Sequence, residues 1–272
     1  MPKVPNSKRN LDKAIERVAG IDNFIKIRTL VANTIVGQML PAGVVKGGSA
    51  LKLRYGNAST RFTTDLDAAR REEIDSFILE LTSALELGWN GFTGRVVAKR
   101  PPSPKGIPGE YIMKPYEIKL DYMGRSWLTV MLELGHDEIG DSESPDWHVS
   151  EEIVGIFIRL GLPVPQPVAL MPIHHQIAQK LHALSEKNSD RAHDLIDLQL
   201  IVRNEELDYR QVKETCERLF AFRRAQLWPP VVVKGEDWDD LYAAQLEGVD
   251  VTDSVDDAIR WTNEFIKQIE NL

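Results

Sequence analysis

The distribution of strand-like and helical patterns is the feature that most constrains the fold of this chain. Three segments in its middle are rich in β-branched and aromatic residues: Phe92 to Lys99, Tyr111 to Tyr122 and Trp127 to Leu134. Turn-forming residues separate these segments, which predicts hairpins. The segments on either side instead repeat apolar residues at the helical period. We therefore expect an α+β fold with a mixed or antiparallel sheet, followed by helices.

Changes in composition divide the chain into three parts. Two helices are predicted in residues 1–40, an α+β domain in residues 41–160, and a helical domain in residues 161–272 that contributes to the active site. The Gly/Pro-rich segment from Leu162 to Pro172 marks the joint before the helical domain. The hydrophobic content of 43 % and the charged content of 27 % are those of an ordinary globular protein.

Cysteine usage and hydropathy restrict the compartment. Cys216 is the only cysteine, so neither an intramolecular disulfide nor a Cys-rich zinc site can form, and a cytoplasmic location is expected. The apolar stretch from Ile153 to Ile158 is far shorter than the roughly 18 to 20 residues that span a bilayer. The first residues carry charge but no apolar run, which predicts neither a signal peptide nor a membrane anchor.

The negative charge is concentrated in one segment. The chain has 33 Lys+Arg and 41 Asp+Glu, which gives a net charge of −8. Nine of the acidic residues and no basic residue lie between Glu236 and Asp257, so the rest of the chain carries +1. A nearly neutral body can still present a basic face, so a nucleic-acid partner is not excluded. For the acidic segment itself, a solvated helix face and loop is favoured over a binding surface.

Two carboxylates two positions apart are the first chemical signal. Asp65 and Asp67 lie on a predicted strand, Arg61 to Ala69, where residues i and i+2 point to the same face. Carboxylates so close repel each other unless a cation lies between them. Mg²⁺ is usually held by one or two carboxylates together with substrate phosphates. The pair therefore indicates a divalent metal and a nucleotide.

A glycine-rich turn upstream supplies the complementary anion site. Gly47 and Gly48 lack Cβ atoms, so their backbone N–H groups can approach a phosphate, and Ser49 opens a predicted helix whose N-terminus favours an anion. Lys46 precedes the glycines, and Arg61 has the planar fork that clamps a phosphate. Each piece alone is commonly an idle turn or surface charge, but their order in the chain is specific.

The order strand, Gly47-Gly48-Ser49, helix, Asp65-Leu66-Asp67 resembles the signature of DNA polymerase β-type nucleotidyltransferases. The fuller string KGGSALKLRYG followed by RFTTDLD resembles the first motif of the AbiEii/AbiGii toxin family, which includes the MenT toxins. Such a site normally has a third carboxylate on a neighbouring strand. Asp121 is the first candidate and Glu133 the second, while an Asp pointing to solvent is the competing interpretation of Asp121.

A second match to the same family lies in the C-terminal part. Lys180 stands in a K-L-H-A sequence, and Asp194 and Asp197 stand in a D-L-I-D-L helix. Lys180 is expected to neutralise phosphate charge, and Asp194 and Asp197, on one helical face, are expected to orient either Lys180 or the substrate hydroxyl. The competing interpretation is an ordinary surface ion pair, with Asp190 as the N-cap of the helix.

The resemblance implies nucleotidyl transfer. An NTP substrate would bind over residues 47–49, with Mg²⁺ or Mn²⁺ on Asp65 and Asp67, and the acceptor would be the 3′ end of tRNA, with growth arrest as the outcome and an antitoxin protein as partner. Three alternatives stay open: nucleotidylation of a protein hydroxyl, transfer to a small molecule, and a module that binds nucleotide without turnover.

Overall fold

The computed structural model of the chain describes residues 2–102 and 112–271. The segment PPSPKGIPG, expected to be a turn between strands, lies largely outside these residues. The chain folds into two compact units. The first unit comprises Met1–Asn57, Phe62–Asp137 and Ser142–Leu170, and the second comprises Ala58–Arg61, Glu138–Asp141 and Met171–Leu272.

The first unit contains a seven-stranded mixed sheet, which agrees with the α+β class predicted from the sequence. Its strands, in chain order, are β1 (Gly43–Lys46), β2 (Leu66–Arg70), β3 (Phe92–Ala98), β4 (Lys114–Tyr122), β5 (Arg125–His136), β6 (Asp146–His148) and β7 (Val168–Leu170). In space their order is β3-β4-β5-β2-β1-β7-β6. Most pairs are antiparallel, but β2 runs parallel to β5, and β1 runs parallel to β7.

Among the described residues of the first unit, five helices accompany the sheet: α1 (Lys8–Ala19), α2 (Phe24–Gly37), α3 (Gly47–Tyr55), α4 (Ile74–Leu87) and α5 (Glu151–Leu160). Their buried faces and the strands share one hydrophobic core, to which Ile15, Phe77 and Phe157 contribute fully buried side chains. The turn between β4 and β5 uses Met123 and Gly124, both at positive φ, as a two-residue hairpin requires.

The second unit is helical. It contains α6 (Ile173–Leu184), α7 (His193–Asn204), α8 (Tyr209–Arg223), α9 (Trp238–Ala243) and α10 (Val255–Glu270). Asp208 and Ser254 cap α8 and α10 by accepting hydrogen bonds from backbone N–H groups of the first turns. In the part of the chain that the structure describes, no helix combines the length and the apolar character needed to traverse a bilayer.

Candidate active site

The glycine corner and Asp67 meet in the first unit. Strand β1 ends at Lys46 and helix α3 begins at the next residue, Gly47, so the glycines form the first turn of the helix and do not precede it. Gly47 has a φ of +63°. A Cβ atom at this position would lie only 2.2 Å from Oδ2 of Asp67. The Asp67 carboxylate thus lies directly against the start of α3, and only glycine leaves room for it.

Asp65 is attached to the same helix by its backbone. The Ser49 hydroxyl, on a side chain that is 3 % exposed, donates to the carbonyl oxygen of Asp65. Thr64 Oγ1 donates to Oδ1 of Asp65 at 3.1 Å. The strand predicted from Arg61 begins only at Leu66, so Asp65 immediately precedes β2 and Asp67 lies within it. The Asp67 carboxylate therefore lies at the glycine corner, and the backbone of Asp65 is held to the same helix through Ser49.

The N-terminus of α3 is suited to an anion. Its N-cap residue, Lys46, makes no side-chain capping bond, and an ammonium group has no acceptor to offer to the first N–H groups. The first turn contains no acidic residue. The first N–H groups of a helix have no partner within the helix and favour negative charge, and small residues let a phosphate approach them closely.

The sheet register distinguishes the two candidates for a third carboxylate. Glu133 on β5 is the direct partner of Asp67 on β2, so their side chains share a face of the sheet. Asp121 is paired with Ser126, seven positions before Glu133 on β5, which at about 3.3 Å per residue is some 23 Å away. The structure therefore does not bring Asp121, the first candidate, to the Asp65 and Asp67 pair, and of the two candidates it is Glu133 that lies beside Asp67.

Lys46, Asp67 and Glu133 occupy directly paired positions on the three adjacent strands β1, β2 and β5. The backbone of Lys46 pairs with Asp67 in the antiparallel ladder of β1 and β2. The ammonium Nζ lies 3.2 Å from the point where a Cβ of Gly135 would be. The absent side chain at Gly135 therefore provides the space that this cation occupies, a contact that the sequence pattern did not indicate.

The second unit holds Lys180 in a buried charge network. Its Nζ donates to Oδ1 of Asp194 at 2.7 Å and to Oδ2 of Asp197 at 2.6 Å, and the Lys180 side chain is 5 % exposed. Arg191 binds the other oxygen of Asp194 at 2.9 Å. The expectation that both acids orient Lys180 is matched by this geometry. The competing expectation was a surface ion pair with Asp190 as the N-cap of the helix. The structure differs from it, because the pair is buried and α7 starts at His193 with Ala192 as its N-cap.

Arg61 completes this network. Its Nε donates to Oδ1 of Asp197 and its Nη2 donates to Oδ2, each at 2.9 Å, so the pair is bidentate. In this structure the guanidinium of Arg61 thus pairs with a carboxylate within the second unit, and its expected role as a phosphate clamp stays a prediction. Three cations and two carboxylates leave the network with one net positive charge.

Electrostatics in the network follow from burial and pairing. Burial by itself raises the pKa of Asp194, but the charges of Lys180 and then Arg191 outweigh it and hold the pKa well below its usual value. The pKa of Asp197 is lowered in the same way by Arg61 and Lys180. Burial, aided by Arg61 and Arg191, lowers the pKa of His193 to about 4, so this imidazole is neutral at pH 7.

Asp65 and Asp67 are the candidate protein ligands for a metal at the glycine corner. Across residues 2–102 and 112–271, no group of three or more His, Cys, Asp or Glu side chains is arranged to hold a metal ion. Mg²⁺ commonly binds through one or two carboxylates and completes its shell with substrate phosphates and water. The Asp65 and Asp67 pair beside an anion-binding helix start fits a metal of this kind.

Comparison with known protein families now identifies the chain. Residues 30–262 match the model of the nucleotidyl transferase AbiEii toxin of type IV toxin–antitoxin systems. The chain belongs to the AbiEii family. It is accordingly a nucleotidyltransferase toxin, and family membership implies an NTP substrate and an antitoxin partner. No curated protein sequence matches this AbiEii family member.

A solved structure supports the fold assignment. MenT4, a nucleotidyltransferase toxin from Mycobacterium tuberculosis H37Rv, matches with a TM-score of 0.57 and 17 % identity, covering 96 % of this chain and 97 % of its own. A candidate nucleotidyltransferase from H. pylori matches with a TM-score of 0.45 and 17 % identity over 91 % and 97 % of the two chains. JHP933 from Helicobacter pylori matches with a TM-score of 0.43 and 15 % identity over 93 % of each chain.

Replacing Gly47 with Ala is expected to reduce transfer by about 10²-fold, because a Cβ 2.2 Å from Oδ2 must displace the Asp67 carboxylate. Initial rates of label transfer from an NTP measure the loss. Gly124→Ala is the matched control, because Gly124 has a φ of +72° but no atom lies within 4 Å of the position that its Cβ would take. Equal losses in both variants would show that backbone strain, and not contact with Asp67, causes the effect.

Proposed function

We propose that this toxin transfers a nucleoside monophosphate from an NTP to the 3′ end of tRNA, with Mg²⁺ or Mn²⁺ as the metal. The observation that carries the proposal is the contact of the Asp67 carboxylate with the first residue of α3. This contact places the proposed metal ligand beside the proposed phosphate-binding helix start, and nucleotidyl transfer needs both at the same reacting phosphate.

The residues of the first unit have separate roles in this proposal. Gly47, Gly48 and Ser49 bind the phosphates through the start of α3, and Ser49 also holds the backbone of Asp65. Asp65 and Asp67 would hold the metal, which, when bound, lowers the pKa of the attacking hydroxyl and offsets charge on the phosphates. Lys46 adds positive charge on the same sheet face.

Glu133 is proposed as the third carboxylate. Its position opposite Asp67 lets it accept a proton or orient a water on the shared sheet face. Lys180 and Asp194 are proposed as catalytic residues, in line with the family resemblance. Asp197 is proposed as the group that supports them. Their mutual contacts fix the ammonium group in one position, which is what a group that neutralises developing charge requires.

The acceptor is the finer part of the proposal and follows from the resemblance to the MenT toxins. Because NTPs and tRNA are cytoplasmic, the proposed reaction belongs to the cytoplasm. The test is incubation of the protein with each α-labelled NTP, Mg²⁺ and either purified tRNA or total lysate. Label that ribonuclease removes, and that maps to the tRNA 3′ end, is the expected result.

Three other outcomes would each replace the tRNA acceptor. Label that survives ribonuclease but is lost on protease treatment would assign a protein hydroxyl as acceptor. Label on a low-molecular-weight product would assign a small molecule. Calorimetric binding of NTP without transfer to any acceptor would make the chain a nucleotide-binding module. Omitting the divalent metal is expected to abolish transfer in every case except the last.

A further inference from the structure

Three consecutive valines, residues 231–233, lie between α8 and α9 in the second unit. Val231 and Val233 are each 71 % exposed, whereas Val232 between them is 2 % exposed. This alternation is the pattern of a β-strand with one face against the protein. No strand of the described residues includes this segment. We call residues 231–233 the valine edge.

Asn263 on α10 takes the place of a neighbouring strand for Val232. The backbone N–H of Val232 donates to Oδ1 of Asn263 at 2.9 Å, and Nδ2 of Asn263 donates to the Val232 carbonyl at 2.9 Å. Both backbone groups of Val232 thus point to the same side. In an extended chain the N–H and C=O groups of the flanking residues then point to the opposite side.

The backbone groups of Val231 and Val233 are therefore available to a partner strand. Within the ranges that the structure describes, they make no hydrogen bond. Unpaired N–H and C=O groups on an exposed edge, together with outward β-branched side chains, are a template for strand addition.

The valine edge is fixed at both of its ends, which lowers the entropic cost of pairing. Before it, Trp228 Nε1 donates to Oε2 of Glu270 at 2.8 Å. After it, Gly235 passes so close to Trp238 that a Cβ would lie 2.4 Å from the indole nitrogen. Trp238 is itself bound to the Ser189 carbonyl at 2.6 Å.

Charge beside the valine edge selects the partner. A lysine beside an exposed edge normally discourages the addition of another strand. Lys234 instead forms ion pairs with Asp239 at 2.7 Å and Asp256 at 3.3 Å. The carboxylate side chains are 70 % and 68 % exposed. They belong to the segment from Glu236 to Asp257, which contains nine acidic residues and no Lys or Arg.

We propose that the valine edge binds an extended segment of another protein, by strand addition, and that this segment alternates β-branched residues and carries Lys or Arg at its ends. Main-chain hydrogen bonds to Val231 and Val233 supply the pairing, and the acidic segment attracts the basic ends. A second copy of this chain is a poorer occupant, because pairing two valine edges would bring two acidic segments together.

Fluorescence anisotropy with the full chain tests this proposal, using a labelled peptide KKVTVTVKK as the probe. Saturable binding is expected. The matched peptide EEVTVTVEE is expected to bind at least about tenfold more weakly, and so is KKVTVTVKK with N-methylated valines, which cannot pair as a strand. Failure of the first peptide to bind, or equal binding of all three, would overturn the proposal.

Variants of the valine edge locate the binding. Val233→Pro removes one exposed donor without touching the Val232 and Asn263 pair, and is expected to weaken the basic peptide about tenfold. Val233→Thr keeps the N–H and the branched shape and should bind as the wild type does. Val231→Lys leaves the backbone unchanged and should weaken binding by charge repulsion, so it tests the edge even if the proline variant misfolds. Unchanged binding by both Val233→Pro and Val231→Lys would overturn the assignment.

Sedimentation velocity decides between the proposed partner and a second copy. The wild-type chain is expected to show no dimer that depends on the valine edge. A dimer that Val233→Pro dissociates and Val233→Thr retains would assign the edge to self-association and overturn the basic partner.

Discussion

The Asp67→Asn variant is expected to lose nucleotidyl transfer by on the order of 10²–10³-fold while its fold is retained. The amide keeps the shape that fits against Gly47 but removes the negative charge. Of two carboxylates only Asp65 would remain, so the metal that the proposal places there binds more weakly and the charge on the phosphates is less well offset. Initial rates of label transfer from NTP, at saturating tRNA, measure the effect.

Asp121→Asn is the matched control for this variant. The same Asp-to-Asn change is made on the same sheet, but beside the turn that joins β4 and β5, far from Asp67. Activity close to that of the wild type is expected. Glu133→Gln should show an intermediate loss if Glu133 acts as the third carboxylate. An Asp121→Asn variant as inactive as Asp67→Asn would contradict the assignment that the strand register supports. Full activity of Asp67→Asn would contradict the proposed metal site.

The choice between Asp121 and Glu133 shows where sequence reasoning about the site reaches its limit. Both acids stand on strands with a clear alternating pattern, so each was predicted to lie on a sheet. Which of them faces Asp67 depends on β5 pairing in parallel with β2, although the two strands are far apart in the chain. Local periodicity reports the face of a residue on its own strand, but not the neighbour of that strand.

The same distinction applies to the fold. Helical periodicity predicts helices from Glu72 to Leu87 and from Val255 to Ile269, within two residues of the observed ends of α4 and α10. The three-residue strands β6 and β7 were not predicted, because a segment so short has too few alternations to show a period. Helix α5 was seen only as an apolar run, and its capping residue Ser150 is the signal that would have located its start.

The charge network of the second unit illustrates a third limit. The spacing of Asp194 and Asp197 placed both on one helical face, and Lys180 as their partner was anticipated. Arg61 was assigned to phosphate because it precedes Asp65 by four residues. The structure pairs Arg61 with Asp197, 136 residues away, and nothing in a single sequence indicates a contact over such a separation.

The Asp197→Ala variant is expected to be the most destabilised of those considered, by about 3–5 kcal/mol. Asp197 accepts hydrogen bonds from both Arg61 and Lys180 and is 1 % exposed, so its removal leaves two buried cations short of a partner. At roughly 2–4 °C per kcal/mol for a protein of this size, Tm should fall by about 6–20 °C in differential scanning calorimetry at pH 7.

Asp250→Ala provides the matched comparison, since Asp250 pairs with Arg203 but is 82 % exposed. Its loss should change the free energy of unfolding by less than about 1 kcal/mol. Equal effects of the two variants would show that burial does not strengthen the Asp197 contacts.

Acid should narrow the difference in the free energy of unfolding between the wild type and Asp197→Ala. The folded-state pKa of Asp197 is lowered by Arg61 and Lys180 against the opposing effect of burial, so its carboxylate binds fewer protons in the folded than in the unfolded chain. Its contribution is therefore complete above the unfolded pKa, about 3.9, and is lost as pH falls through the lower folded value. Urea unfolding between pH 7 and pH 3 is expected to show a constant gap down to about pH 5 and a narrowing gap below it. A gap that widened on acidification would mean that the folded protein favours the protonated form of Asp197, which is incompatible with the paired arrangement.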